Sequence, residues 1–111
     1  MMEILTRRAQ DALVIDLKGA VDLFSSPKMR SAILEAIQTG SVPRVVINLS
    51  EVTHIDSSGV ACLVEGLRQA RQKKCRLVLF GLQHRTRQVL ELSRLDKVFE
   101  IRSTEPEALA D

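Results

Sequence analysis

The chain contains no tryptophan and no tyrosine, and three phenylalanines are its only aromatics. Its core must therefore be aliphatic, and a nucleic-acid surface built on stacked aromatic platforms is not expected. Cysteine is almost as scarce. Cys62 and Cys75 fall in neither a metal-binding nor a redox spacing, which argues against a disulfide framework. Both are expected as buried or half-buried thiols. No stretch approaches the roughly 20 apolar residues of a membrane span. The amino terminus is not a basic segment followed by a long apolar run, so no secretory leader is expected. A reducing cytoplasm is the simplest setting, with no membrane contact. Acidic residues are missing from one long segment. Between Gly66 and Leu90 there are seven basic side chains (Arg68, Arg71, Lys73, Lys74, Arg76, Arg85 and Arg87) and no carboxylate. That reads as a solvated face with cations at a helix carboxyl end, where the dipole favours them, or as a surface for an acidic partner. The net charge of +2 is too small to imply a polyanion by itself.

What is present suits one domain over residues 1–111, with 45% hydrophobic and 27% charged side chains. Glu3–Arg8 and Ala12–Leu17 read as two strands joined by a turn at Gln10-Asp11, hence a hairpin. Gly19 is expected to end the second strand, and Gly19–Asp22 to form a loop or short extended piece. Ser25-Ser26-Pro27 is a helix start, with Ser as N-cap and Pro at the first helical position, and Gly40 is its C′ residue. Met29, Ala32, Ile33, Ala36 and Ile37 form the apolar stripe. Val45–Leu49 is apolar at nearly every position, as in an interior strand. A short polar break separates it from Thr53-His54-Ile55. A helix over Ser58–Lys73 follows, with Val60, Leu63, Val64 and Leu67 on one face. Then come a strand at Arg76–Phe80, a helix at His84–Arg94, a strand at Val98–Ile101 and a terminal helix capped by Thr104. The strand at Val45–Leu49, the helix after it and the strand at Arg76–Phe80, with short links, predict a βαβ unit with parallel strands and a right-handed crossover. The fold class is α/β: a mixed sheet with an N-terminal antiparallel hairpin and later parallel strands, covered by about four helices.

The chemistry concentrates where a strand feeds a helix, at Asp56-Ser57-Ser58-Gly59. Helix capping alone explains one such residue, yet three cap-competent side chains stand in a row. A spare hydroxyl at an exposed helix amino end is a plausible phosphate acceptor. Phosphorylation would add a charge of about −2 where the dipole tolerates it. Asp22 is a lone carboxylate that also suits a loop or an early cap. A Ser–His–Asp hydrolase built from His54, Asp56 and Ser57 is disfavoured, because triad members come from separate elements and no G-x-S-x-G elbow occurs. A metal site at His54 and Asp56 lacks a third ligand.

Gly19-Ala20-Val21-Asp22, the strand Val45–Leu49, Ile55-Asp56-Ser57-Ser58-Gly59-Val60, the strand Leu77–Phe80 and Val89–Ser93 together resemble the STAS domain family over nearly the whole chain. The similarity is to its stand-alone bacterial anti-sigma factor antagonists. That resemblance implies a partner-switching regulator, not an enzyme, with no cofactor of its own. In such proteins an anti-sigma factor that is an ATP-dependent serine kinase phosphorylates the first serine after the aspartate, here Ser57. A serine phosphatase restores the unmodified form, which binds the anti-sigma factor and releases a sigma factor. Asp22, Asp56, Ser57, Ser58 and Gly59 are the partner-binding positions so implied, in a protein expected to be monomeric when free. Ala20 departs from the family's usual acidic residue. The alternative is a non-phosphorylated STAS subunit of a larger assembly, such as a lipid-transport ABC complex.

Overall fold

A computed structural model describes residues 2–110. Among them the order is β1 (Met2–Ala9), β2 (Ala12–Val21), α1 (Ser26–Thr39), β3 (Arg44–Ile55), α2 (Ser57–Gln72), β4 (Arg76–Phe80), α3 (His84–Leu92), β5 (Glu100–Arg102) and α4 (Glu105–Leu109). The five strands form one sheet in the order β1-β2-β3-β4-β5. β1 and β2 are antiparallel, and every later pairing is parallel. Strands added in sequence order by crossovers of one hand place their helices on one face. Accordingly α1, α2 and α3 pack over Ile15, Leu17, Val45, Ile47, Leu49, Leu77 and Leu79. The alternate residues Val14, Val46, Val78 and Phe80 point to the other face, where Ala108 and Leu109 of α4 cover them. Side chains alternate across a strand, so a central strand covered on both faces is apolar at successive positions. Val45, Val46 and Ile47 are all fully buried.

The sequence expectations need correcting at several ends. β2 does not stop at Gly19 but runs to Val21. Gly19 has φ 105°, and the pairing with β3 slips there and again between Asp16 and Lys18. Gly19 thus accommodates an irregularity within the strand rather than its end, as glycine does where φ is positive. The polar break after Leu49 is absent for the same reason, because β3 continues through Ser50-Glu51 in shifted register. α2 begins one residue earlier than Ser58 and ends one before Lys73. α3 stops at Leu92, and Arg94 turns left-handed beyond it. Val98 and Phe99 precede β5 instead of opening it, although Phe99 is buried in the core. After α1 the left-handed residue is Ser41, not Gly40.

Candidate functional site

The parallel pairing of β2 and β3 ends at Val21 opposite Ile55. The next residue of each strand, Asp22 and Asp56, therefore emerges at one end of the sheet, and the Asp56 N–H donates to the Val21 carbonyl at 3.1 Å. Asp56 is the N-cap of α2. Its Oδ1 accepts from the Ser58 N–H at 3.0 Å, the Gly59 N–H at 3.2 Å and the Ser58 hydroxyl. These bonds satisfy amide groups that a helix start leaves unpaired. Gly59 is buried against the strand ends. A Cβ there would lie 2.6 Å from Ile55 Cγ1 and 2.7 Å from Val21 Cγ1, so the bare backbone is what lets α2 sit this close.

Ser57 is different. It occupies the first helical position, is exposed, and its hydroxyl engages no hydrogen bond among the described residues. The two serines thus divide the work: Ser58 closes the cap, and Ser57 faces solvent.

Asp22 organises the facing loop. Its Oδ1 accepts from the Phe24 and Ser25 N–H groups, both at 3.0 Å. Ser25 Oγ accepts from the Asp22 N–H at 2.9 Å, and lies 3.1 Å from both the Ala20 carbonyl and Asp22 Oδ1. Ser25 holds the N-cap position of α1, but its hydroxyl caps nothing in that helix. It is spent on the Asp22 turn, which is an Asx-type arrangement.

Both carboxyls are held below the usual carboxylate range. For Asp22 the main cause is the hydrogen bond from the Ser25 backbone, and for Asp56 the bond from the Ser58 hydroxyl. Each works against partial desolvation, and for Asp22 also against repulsion from Asp56. At neutral pH the face therefore carries two negative charges, neither in an ion pair among the described residues. All five expected residues meet here.

Two residues were not anticipated. Leu23 and Phe24 follow Asp22 directly and are 69% and 92% exposed. The signal available in the sequence was their phase: neither falls on the stripe of Met29, Ile33, Ala36 and Ile37 that α1 buries. Part of the basic stretch lies elsewhere, although Arg85 and Arg87 fall in the first turn of α3, which starts beyond the site end of β4. Arg71, Lys73 and Lys74 are exposed about the carboxyl end of α2, away from its Ser57 end. Arg76 does not belong to an open cationic face, since its guanidinium binds Glu100 of β5 at 2.8 and 2.7 Å. Among the described residues no group of three or more His, Cys, Asp or Glu is placed to hold a metal ion. No described helix is long and apolar enough to cross a membrane.

The fold and site define a small α/β domain whose acidic, serine-bearing face is built from loops at the carboxyl ends of parallel strands. The STAS domain family matches residues 3–108, and the chain belongs to that family. The anti-sigma-B factor antagonist of Listeria monocytogenes is 34% identical over 100 residues, covering 90% of this chain and 87% of that one. The crystal structure of an anti-sigma factor antagonist from Mycobacterium paratuberculosis superposes with a TM-score of 0.89 at 25% identity, covering 98% of this chain and 92% of that one. The phosphorylated form of the Bacillus cell fate determinant SpoIIAA superposes with a TM-score of 0.74 at 26% identity, covering 96% of each chain.

Proposed function

We propose that this protein is a cytoplasmic anti-sigma factor antagonist switched by phosphorylation of Ser57. The observation that carries the reading is the uncommitted hydroxyl of Ser57 beside the fully committed Ser58. In this scheme the unmodified protein binds an anti-sigma factor that is also a serine kinase, and a sigma factor is released. The kinase transfers the γ-phosphoryl group of its ATP to Ser57 Oγ. The serine proton leaves and ADP is the second product. A serine phosphatase reverses the state by hydrolysis, releasing inorganic phosphate. ATP and metal belong to those partners, and the antagonist contributes no turnover of its own.

The physical basis of release is electrostatic. A phosphate at Ser57 would place a charge of about −2 in an interface that already contains Asp22 and Asp56. Buried charge without a partner is strongly unfavourable, so an interface shaped for the neutral hydroxyl should reject the dianion. The helix amino end lowers the cost inside the free protein, which leaves the fold intact while the surface changes.

The test is the intact mass and phosphosite map of the protein from its native cells, paired with capture of partners on Ser57→Ala. One phosphate at Ser57, and recovery of a kinase of the anti-sigma type on Ser57→Ala, are the expected results. Ser57→Asp should bind that kinase at least ~10-fold more weakly than Ser57→Ala, the equivalent of about 1.4 kcal/mol. Absence of phosphate under all growth conditions, with recovery of permease and ATPase subunits instead, would replace this reading with that of a structural subunit of a transport assembly.

A further inference from the structure

Phe24 is the largest apolar side chain left in solvent by this fold, and it stands two residues from Asp22 at the edge of the switch face. Its backbone is held by hydrogen bonds to Asp22. The Phe24 N–H is bound to Asp22 Oδ1, the Ser25 N–H binds the same oxygen, and the Ser26 N–H donates to the Asp22 carbonyl at 2.8 Å. The backbone is thus held from both sides while the ring and the neighbouring Leu23 side chain project outward. Exposing such a pair brings no folding benefit, since burial of apolar area is what stabilises a fold. An aromatic side chain on a preorganised backbone loses little entropy on binding, which is the usual make-up of an interface anchor.

We infer that Leu23 and Phe24 are the apolar anchor by which the anti-sigma factor grips this protein, seated in an apolar socket of the partner whose rim cations pair with Asp22 and Asp56 and leave none for a further charge at Ser57. The inference rests on the proposed function for the identity of the partner. The charge of the surroundings selects a protein of that character. Two carboxylates held ionised beside the anchor disfavour an anionic membrane surface and favour a basic rim. The anchor also gives the switch its leverage. Apolar contact at Phe24 would supply affinity in either state, and the charge at Ser57 would decide whether the same interface closes.

The experiment uses the purified anti-sigma factor recovered on Ser57→Ala. The chain has three phenylalanines, so fluorophenylalanine labelling yields three fluorine resonances, assigned by Phe24→Leu. Phe80 and Phe99 are buried and serve as internal controls. On addition of the partner the Phe24 resonance should shift and broaden while the other two hold. In the Ser57→Ala background, Phe24→Ala should weaken binding by ~10-fold or more, and Phe24→Leu by less. Leu92 is 86% exposed at the carboxyl end of α3, which runs back from the site end of β4, so Leu92→Ala should leave affinity unchanged. An unmoved Phe24 resonance at saturation, or Phe24→Ala binding like its parent, overturns the anchor. The two proposals fail separately. Weak binding by Phe24→Ala with tight binding by Ser57→Asp keeps the anchor and removes the phosphate switch, and the opposite pair of results does the reverse.

Discussion

Ser57 and Ser58 are adjacent, chemically identical and energetically unequal. Ser58 gives both its N–H and its hydroxyl to Asp56, whereas the Ser57 side chain gives nothing to the fold. Removing the Asp56 carboxylate leaves helix amides unpaired, so Asp56→Ala should cost about 1 kcal/mol in a urea titration. Ser57→Ala should fall within about 0.5 kcal/mol of the parent, as substitutions of uninvolved surface groups do. Equal losses from the two variants would mean that Ser57 shares the cap and is not reserved for a partner. The same separation explains how a helix can carry a serine with an uncommitted hydroxyl at its start: the cap is closed by its neighbours on either side.

At the scale of the elements, the helix ends show what a sequence conceals. α2 and α3 both close by the same device. The Cys75 N–H reaches the Ala70 carbonyl at 2.8 Å behind Lys74, and the Leu95 N–H reaches the Leu90 carbonyl at 2.8 Å behind Arg94. Lys74 and Arg94 have φ of 55° and 59°, the left-handed conformation that usually falls to glycine in this motif. A cation there gains from the helix dipole but carries the steric cost of its Cβ. Arg94→Gly should therefore stabilise the protein by up to ~1 kcal/mol, the relief of strain exceeding the extra chain entropy of glycine. A lower urea midpoint for Arg94→Gly would show that the charge outweighs the strain. This is also why the helix ends were misjudged from sequence by one or two residues: no glycine marked them. The junction at Asp56 was legible because capping residues, an apolar strand and a 3.6-residue period meet there. The parallel pairing of β3 with β4 followed from βαβ spacing. The slips at Asp16 and Gly19 were not legible, since nothing local distinguishes a strand irregularity from a strand end. Leu23 and Phe24 escaped notice because apolar type alone does not separate a core residue from an anchor.

The whole molecule is tied together by carboxylates that cross between elements. Arg7 of β1 holds Asp16 of β2 at 2.7 Å and also Glu105 of α4, which fastens the sheet to the helix on its far face. Arg30 of α1 holds Glu65 of α2, and Arg76 of β4 holds Glu100 of β5. The carboxyls of Asp16, Asp22, Asp56, Glu65 and Glu100 all lie below their ordinary values. At Asp16 burial pushes the other way, but the bonds from Arg7 and Asn48 outweigh it. The sign for stability follows. A carboxyl that ionises more readily when folded stabilises the fold at pH above its unfolded value of about 4, and that contribution disappears as pH falls through the lower folded value. Asp22 and Asp56 are in no ion pair among the described residues, and Glu65 is paired with the more exposed Arg30, so their shares should be smaller because solvent screens such groups. Asp16 and Glu100, partly buried in paired arrangements, should dominate. Urea midpoints measured against pH should be level from about pH 8 to about pH 5 and drop below about pH 4. Asp16→Asn should flatten the acid limb, since it removes a titrating group while keeping the shape of the side chain. A midpoint that rose on acidification would show that repulsion within the acidic face outweighs the pairs that join the layers, and an acid limb untouched by Asp16→Asn would show that carboxyls other than Asp16 carry it.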